Sequence, residues 1–330
     1  MDIALFLNSA GHFLTDAVCA SALFGTVAAS GADMGMALAL YNTLAFSTQC
    51  VVGLLTDLLP RHQRLAAAAL ALCALALLLP LPWWGRVTLL GLGNSVFHVA
   101  GGTVTLKNAG GRAAPLGVFV APGAMGLTLG TLYPHLGACF AILALALSAA
   151  LWLLTGESAL TRGGSRPIPW LAVGALLLAV AVRAVGGSAV SYPWKTGAGL
   201  TLLMTLAVCA GKTAGGFVCD RLGAGKTALL TVPAAAALIA FASAWLLPGL
   251  AGQLLLNLTM PVTLWLLYRA MPDAPGLSFG LVASALWPGT LLGQLISLAG
   301  AARWLLVLGC FGFGLWAMVY SSGKLKEVSR

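Results

Sequence analysis

Charge is the scarcest feature of this 330-residue sequence: 8% of the residues are charged, and only eight are acidic. Hydrophobic residues make up 60% of the chain, and the mean hydropathy is +0.98. No soluble core of this size needs so much apolar surface, so the composition predicts an integral membrane protein. Apolar runs of roughly 20 residues without alternation favour helices over a barrel.

Sequence signatures of catalysis are also missing. The chain has no C-x-x-C pair and no His-Glu-x-x-His motif, and no Ser–His pair sits in an elbow motif. The fragment 223–227 is similar to the end of a phosphate-binding loop, but the glycine that such a loop needs at position 220 is Asp220. We therefore predict no enzyme, no nucleotide site and no cofactor.

The apolar runs predict an all-α protein with twelve transmembrane helices. Their predicted ranges are 3–28, 36–59, 65–82, 87–106, 116–134, 137–155, 170–190, 197–219, 227–247, 250–270, 277–297 and 302–320. The polar segment 156–169 is predicted to be a cytoplasmic linker between a first six-helix half, 1–155, and a second, 170–320. A basic cytoplasmic tail, 321–330, follows. His12 and Asp16 interrupt the first run, which has no basic start, so we expect a retained helix rather than a cleaved signal.

Basic residues are distributed unequally between the two ends of the predicted helices. Twelve fall on one side: Arg61, Arg64, Lys107, Arg112, Arg162, Arg166, Arg221, Lys226, Arg269, Lys324, Lys326 and Arg330. Only Arg86, Lys195 and Arg303 fall on the other. By the positive-inside rule the basic side is cytoplasmic, which predicts a cytoplasmic (inner) membrane protein with both termini inside. The net charge of +9 therefore reflects topology and not a nucleic-acid partner.

A Gly-x-x-x-Asp pattern occurs twice, 163 residues apart, and each copy is followed by arginine. The four-residue spacing puts glycine and aspartate on one helical face at the membrane edge. The aspartate is then able to accept hydrogen bonds from backbone N–H groups or from an arginine beyond the turn. The residues predicted to form this conformational gate are Gly53, Asp57, Arg61, Gly216, Asp220 and Arg221.

Other residues repeat at the same offset of 163. Asn94 matches Asn257, and three glycines of the predicted fifth helix match three of the eleventh, namely Gly117, Gly126 and Gly130 with Gly280, Gly289 and Gly293. These two helices are therefore predicted to share a small-residue face suited to close packing.

The second motif, from Gly216 through Asp220-Arg221 to Lys226, resembles the loop signature of the major facilitator superfamily of secondary transporters. Within that superfamily, Gly11–Asp16 and Gly91–His98 are similar to segments of fosmidomycin-resistance-type members. The resemblance implies two pseudo-symmetric six-helix bundles that rock about one midplane site. It also implies that helices 1, 4, 7 and 10 line a central cavity.

Polar residues are concentrated in the helices that this resemblance assigns to the cavity or its flanks. A charge inside the bilayer must face water, a partner or a substrate. Arg183 and Lys212 outnumber the one carboxylate, Asp16, and a net positive site favours a small carboxylate, phosphate or phosphonate. The predicted substrate-binding residues are Arg183, Lys212, His98, Asn94, Asn257 and Gln49.

Asp16 and His12, four residues apart, are predicted to carry a coupling proton. Two other interpretations remain open: Asp16 forms a fixed ion pair with Arg183, or His12 and Asp16 simply pair with each other. His12, Asp16 and His98 are also of suitable type for a metal site, but no denser cluster supports one, so no metal is predicted.

The predicted function is secondary transport of a small organic anion by alternating access, with the lipid bilayer and a coupling proton as further partners and a monomeric state. One alternative is a proton-driven exporter of drugs or cationic metabolites, in which Asp16 attracts the cation. Another is a non-transporting membrane receptor or scaffold on the same fold.

Overall fold

The computed structural model describes residues 2–156 and 167–328. All regular structure within these ranges is helical. The fourteen α-helices found there are α1 Ile3–Ser21, α2 Met34–Asn42, α3 Gln49–Asp57, α4 His62–Leu78, α5 Trp83–Asn108, α6 Ala114–Leu132, α7 Gly137–Leu154, α8 Trp170–Ser188, α9 Gly197–Leu222, α10 Ala224–Ala242, α11 Leu246–Asn257, α12 Thr259–Ala270, α13 Pro275–Leu295 and α14 Gly300–Val328. The predicted linker, 156–169, lies largely outside the described residues. The last helix extends beyond its predicted end at 320 and continues to Val328.

Eleven helical segments of the described chain are long and apolar enough to cross a membrane. Four of them combine an α-helix with a neighbouring helical segment: Ile3–Val27, Met34–Asp57, Pro134–Leu154, which begins with the 3₁₀ turn Pro134–Leu136, and Leu246–Ala270. The predicted third span, 65–82, corresponds to α4, which is apolar but has only 17 residues. The all-helical class is thus confirmed, and the count of twelve stays a prediction.

The chain divides into two compact units that do not follow the sequence halves completely. Unit 1 contains residues 1–110, 118–162 and 274–284. Unit 2 contains residues 111–117, 163–273 and 285–330. Unit 1 therefore includes the start of α13 from the second half of the sequence, and unit 2 includes the start of α6 from the first half.

Polar side chains satisfy several helix ends. Asp2 and Asp33 are the N-caps of α1 and α2 and accept hydrogen bonds from the amides of Ala4 and Met36. At the C-terminal end of α4, Arg86 donates from Nε to the carbonyl of Ala76 (3.0 Å) and from Nη2 to that of Leu79 (2.7 Å). The last carbonyls of a helix have no intrahelical partner, so this buried guanidinium stabilises the α4–α5 turn.

Unit 1 contains two π-helical segments, Ala22–Val27 after α1 and Thr43–Ser47 between α2 and α3. Such segments leave backbone groups without their usual helical partners. At the second one, the Ser284 hydroxyl donates to the carbonyl of Phe46 (2.9 Å) and accepts from the amide of Cys50 (3.0 Å). A side chain of α13 thus stabilises the irregular turn that leads into α3.

Glycines allow α6 and α13 to pack closely against α1 and α8, respectively. A Cβ atom at Gly126 or Gly130 would meet a backbone carbonyl of α1, and one at Gly289 or Gly293 would meet a carbonyl of α8. The carbonyls are those of Phe13, Ala17, Ala181 and Val185. The close packing predicted for the repeated glycines is confirmed at these positions.

Candidate functional site

Four polar side chains from α1 and α5 meet inside unit 1, and we call them the His–Asp cluster: His12, Asp16, Asn94 and His98. His12 Nε2 lies 3.4 Å from Asp16 Oδ2, and His98 Nε2 lies 3.6 Å from Asp16 Oδ1. The Asn94 amide donates to Asp16 Oδ1 at 3.0 Å. The two imidazole rings are in edge contact, with centroids 4.3 Å apart. The structure thus brings together four residues that the sequence analysis selected on separate helices.

Backbone carbonyls fix the orientation of both histidines. His12 Nδ1 lies 2.9 Å from the carbonyl oxygen of Phe119, and His98 Nδ1 lies 2.8 Å from that of Asn94. A carbonyl oxygen only accepts, so each Nδ1 carries the hydrogen and donates it. Each Nε2 consequently faces the Asp16 carboxylate. The predicted role of Asp16 and His12 in proton coupling is not tested by this geometry and stays a prediction.

A second polar group, the Arg183 cluster, lies in unit 2 where α11 ends and α12 begins. It consists of Arg183, Tyr192, Gln253, Asn257 and Thr259. Arg183 Nη1 donates to the Thr259 hydroxyl at 3.0 Å, and that hydroxyl donates to the carbonyl of Leu256 at 2.7 Å. The guanidinium is thus held at the interruption of the Leu246–Ala270 span.

The remaining members of the Arg183 cluster form a chain of hydrogen bonds. Asn257 Nδ2 donates to the Gln253 carbonyl (2.8 Å) and to its Oε1 (3.2 Å), and Gln253 Nε2 donates to the Tyr192 hydroxyl (2.6 Å). Burial raises the pKa of the Tyr192 hydroxyl above its usual value, and the hydrogen bond from Gln253 lowers it in part. Tyr192 therefore stays a neutral phenol at physiological pH.

Gln49 and Lys212, two further predicted substrate residues, occupy corresponding positions at the offset of 163. A Cβ atom at Gly280 would meet the carbonyl of Gln49, and one at Gly117 would lie 2.5 Å from the carbonyl of Lys212. Gln49 is fully buried: its Nε2 donates to the carbonyl of Ala45 (2.7 Å), and its Oε1 has no hydrogen-bond partner among the described residues. Lys212 lies half-buried in α9.

Each of the two motif aspartates accepts hydrogen bonds from the start of a helix within its own unit. In unit 1, Asp57 accepts from the amides of Gly276 (2.7 Å) and Leu277 (2.8 Å) at the start of α13. In unit 2, Asp220 accepts from the amides of Ala113 (2.6 Å) and Ala114 (3.0 Å) at the start of α6. Both the acceptors and the donors are related by the offset of 163 residues. Of the two partners foreseen for these aspartates, helix N-terminal amides are the ones observed.

The motif glycines and arginines have distinct positions at these contacts. A Cβ atom at Gly53 would meet the carbonyl of Gly276, and one at Gly216 would lie 2.5 Å from the carbonyl of Ala113. Only glycine allows such close backbone approach. Arg61 and Arg221 are exposed at the same helix ends, and both carboxylates accept from backbone N–H groups instead.

Sequence reasoning missed Tyr192, Gln253, Thr259 and the four amide donors at the starts of α6 and α13. The Asn257-x-Thr259-x-Pro261 pattern in the middle of an apolar run was a signal for the interruption, because proline has no N–H to donate to the carbonyl four residues earlier, that of Asn257. Nothing local identified the amide donors, which lie 106 to 220 residues from their acceptors.

One sequence pattern has catalytic spacing without the matching structure. Gly276-Leu277-Ser278-Phe279-Gly280 has the Gly-x-Ser-x-Gly spacing of hydrolase nucleophile elbows, which need a strand-to-helix turn and an exposed serine. Here the whole segment lies in α13, and Ser278 is fully buried. The pattern therefore indicates helix packing.

No protein-family model and no curated protein sequence matches this chain. Its fold is nevertheless similar to that of solved transporters along nearly their whole length. A variant of the E. coli fucose:proton symporter FucP aligns with 13% identity and a TM-score of 0.71, covering 97% of this chain and 98% of that chain. FucP in the outward conformation, described as a major facilitator superfamily transporter, aligns with 14% identity and a TM-score of 0.74, covering 97% and 99%.

A third solved structure extends the comparison to a different substrate class. The human organic anion transporter MFSD10 (TETRAN) aligns with 16% identity and a TM-score of 0.66, covering 98% of both chains. All three structures are described as transporters and none as an enzyme. At these identities the likeness shows that the chain has the fold of major facilitator superfamily transporters.

Proposed function

We propose that this chain is a secondary active transporter that works by alternating access. The observation that carries the proposal is the repeated contact between a motif aspartate and a helix start, at one offset, in a chain with the fold of known transporters. A transporter cycle needs elements with two discrete arrangements. A carboxylate bound to two amides is such an element, because the contact is strong when made and both partners are readily hydrated when it opens.

Gly53, Asp57 and Arg61 with Gly216, Asp220 and Arg221 are proposed to form the gate. The glycines allow the backbones to meet, and the aspartates bind the helix starts with the favourable sign of the helix dipole. The exposed arginines provide positive charge beside each aspartate, which is then available to the carboxylate when the amide contact opens. The same residues place the gate at the basic, cytoplasmic end of the proposed topology.

We propose a small organic anion as the substrate. Arg183 is the proposed anchor, because its planar guanidinium binds carboxylate or phosphate through two hydrogen bonds and Thr259 already orients one of its nitrogens. Within unit 2, Lys212 and Asn257 are proposed to provide further contacts. His98, Asn94 and Gln49, which lie in unit 1, remain predicted substrate residues. MFSD10 is described as an organic anion transporter, and its similarity supports this substrate class.

An exporter of cationic compounds is the second candidate. The observation that favours it is the His–Asp cluster, in which a carboxylate and two imidazole Nε2 atoms converge. FucP, described as a fucose:proton symporter, shows that the same fold also accommodates a proton-coupled cycle. The subfamily similarity to fosmidomycin-resistance-type members is compatible with either candidate.

A panel of ligands separates these candidates. Purified protein is expected to unfold at a higher temperature with an organic anion and to take up that anion when reconstituted in liposomes. Arg183→Ala is expected to lose both effects, whereas Lys195→Ala, which removes an exposed cation, retains them. Stabilisation by a lipophilic cation that persists in Arg183→Ala would support the exporter. Failure of the folded protein to move any member of the panel would contradict the transporter proposal itself.

A further inference from the structure

The His–Asp cluster brings three side chains of metal-binding type, His12, Asp16 and His98, close together. Both Nδ1 atoms donate to backbone carbonyls, so the Nε2 atoms of the neutral rings present lone pairs to the Asp16 carboxylate. Ligand atoms of His12, Asp16 and His98 all lie within 4.8 Å of one another. Three electron-pair donors that converge in this way are stabilised by a positive charge, which is either a proton on an imidazole or a metal ion.

The distances are long for a proton shared between an imidazole and a carboxylate. An N–H···O hydrogen bond has a donor–acceptor distance of about 2.7–3.2 Å, and charge-assisted bonds are shorter still. The two Nε2–carboxylate distances, 3.4 and 3.6 Å, exceed that range. Two ligands about 2.0–2.1 Å from a tetrahedral zinc ion are roughly 3.3 Å apart, which is close to these two distances, although the two distances end on different oxygens of Asp16.

We propose that His12, Asp16 and His98 bind one divalent transition-metal ion of the zinc type. Two imidazole nitrogens and a carboxylate form a donor set suited to Zn²⁺, Co²⁺ or Ni²⁺, whereas Mg²⁺ and Ca²⁺ prefer oxygen ligands alone. Three protein ligands leave a coordination position for water or another small ligand. The proposal does not depend on which substrate is transported, but a metal ion would occupy His12 and Asp16, predicted to carry a proton, and His98, proposed to contact the substrate.

The surroundings of the three ligands are those of a metal site. Metal-binding histidines usually donate their other ring N–H to a carbonyl or carboxylate, which fixes the ring and the tautomer. Phe119 provides that carbonyl for His12. Asn94 acts on two ligands at once, because its carbonyl accepts from His98 and its side-chain amide donates to Asp16.

A glycine of α6 keeps side-chain atoms away from two of the ligands. A Cβ atom at Gly123 on α6 would meet His12 Nε2 and would lie 2.6 Å from Asp16 Oδ2, so any side chain there would enter the space between the ligands. The side chains of Asp16 and His98 keep 18% and 13% of their accessible surface. These two ligands are therefore not completely enclosed by protein atoms.

The test uses the purified full-length chain in detergent, without a histidine tag. Titration with Zn²⁺ is expected to show one saturable site per chain that an equal concentration of Mg²⁺ does not occupy, and Co²⁺ is expected to give the visible absorption of a low-symmetry nitrogen–oxygen site. His98→Ala is expected to weaken binding by at least about 100-fold, and Asn94→Ala by about 10- to 100-fold. His135→Ala, which removes a histidine outside the cluster, is the matched control and is expected to bind as the unaltered chain does.

Two further measurements do not remove a ligand. Gly123→Ala is expected to abolish binding, whereas Gly85→Ala is expected to retain it, because a Cβ atom at Gly85 would make only ordinary contact with Pro82. X-ray absorption of the unaltered zinc-loaded protein is expected to show two imidazole nitrogens at about 2.0 Å. An all-oxygen shell, or equal affinity in folded His98→Ala and His135→Ala, would overturn the proposal, even if transport of an organic anion were demonstrated.

Discussion

Replacing Asp220 by asparagine removes one negative charge from the contact that caps α6 while keeping the size of the side chain. The carboxylate accepts two hydrogen bonds, at 2.6 Å from the Ala113 amide and 3.0 Å from the Ala114 amide. An asparagine has a single acceptor oxygen, so its NH₂ group would face the second amide. Asp220→Asn therefore leaves one N–H donor without an acceptor and removes the favourable charge at the helix start.

The size of the effect follows from these two losses. Loss of a hydrogen bond to a charged group destabilises by about 1.5–3 kcal/mol, and loss of a negative charge at a helix N-terminus adds about 0.3–1 kcal/mol. Asp220→Asn is expected to shift the equilibrium between the closed and open contact by about 2–4 kcal/mol, or roughly 30- to 700-fold towards the open form.

Hydrogen exchange reports this equilibrium directly. The first amides of a helix have no intrahelical acceptor, so protection of the Ala113 and Ala114 amides depends on Asp220. Mass spectrometry with single-amide resolution is expected to show that these two amides exchange roughly 30- to 700-fold faster in Asp220→Asn. Transport by the reconstituted variant is expected to change in rate and in the balance of inward- and outward-facing forms, with little change in substrate affinity.

Asp33→Asn is the matched control. Asp33 also binds a helix-start amide, that of Met36 at 3.0 Å, but it caps its own helix, and asparagine is as good an N-cap as aspartate. Exchange at Met36 is expected to change little in this variant. Unchanged protection of Ala113 and Ala114 in a folded Asp220→Asn protein would refute the assignment of the gate to this contact.

Three further predictions test other features of the structure. Gly216→Ala is expected to expose the Ala113 and Ala114 amides to exchange although Asp220 remains, because the new Cβ atom would lie 2.5 Å from the Ala113 carbonyl oxygen. Gly174→Ala, whose Cβ atom would have no neighbour within 4 Å, should leave these amides protected. Arg86→Ala is expected to reduce the free energy of unfolding by about 1.5–3 kcal/mol for each of its two charged hydrogen bonds. Thermal unfolding measures this loss, with Lys195→Ala as the control. Equal stability of the two variants would show that the α4 cap is dispensable. Arg183→Lys keeps the charge but loses the planar fork, so the substrate anion is expected to bind about 10- to 150-fold more weakly, and unchanged affinity would remove Arg183 as the anchor.

Much of the fold could be predicted because its signals are local. Apolar runs of membrane-crossing length identify helices without knowledge of their neighbours, and the spacing of Asp57 and Asp220 shows the repeat. The third predicted span, 65–82, became a helix of 17 residues because Leu79 is extended and Pro80 and Pro82 follow it. Helix ends of this kind depend on single residues that an average over a long apolar window does not resolve.

The partners of the functional residues could not be predicted in the same way. The spacing of His12 and Asp16 places them on one face of α1, but only the packing of α5 brings His98 to the same carboxylate. The Asp57 carboxylate predicts a donor, yet the amides of Gly276 and Leu277 have no sequence signature, since every non-proline residue carries one. Arg183 was recognised by its charge, whereas Thr259 was not, because threonine is common in apolar helices.

The two equivalent aspartate contacts differ in the order in which the ribosome makes their parts. Ala113 and Ala114 are synthesised before Asp220, so that carboxylate finds its amides already in place. The amide partners of Asp57, those of Gly276 and Leu277, are synthesised 219 and 220 residues after it. At a synthesis rate of about 5–20 residues per second, this delay is roughly 10 to 45 seconds. During translation, therefore, the carboxylate at the end of α3 lacks its amide partners until α13 begins to emerge, and unit 1 completes its packing only near the end of synthesis.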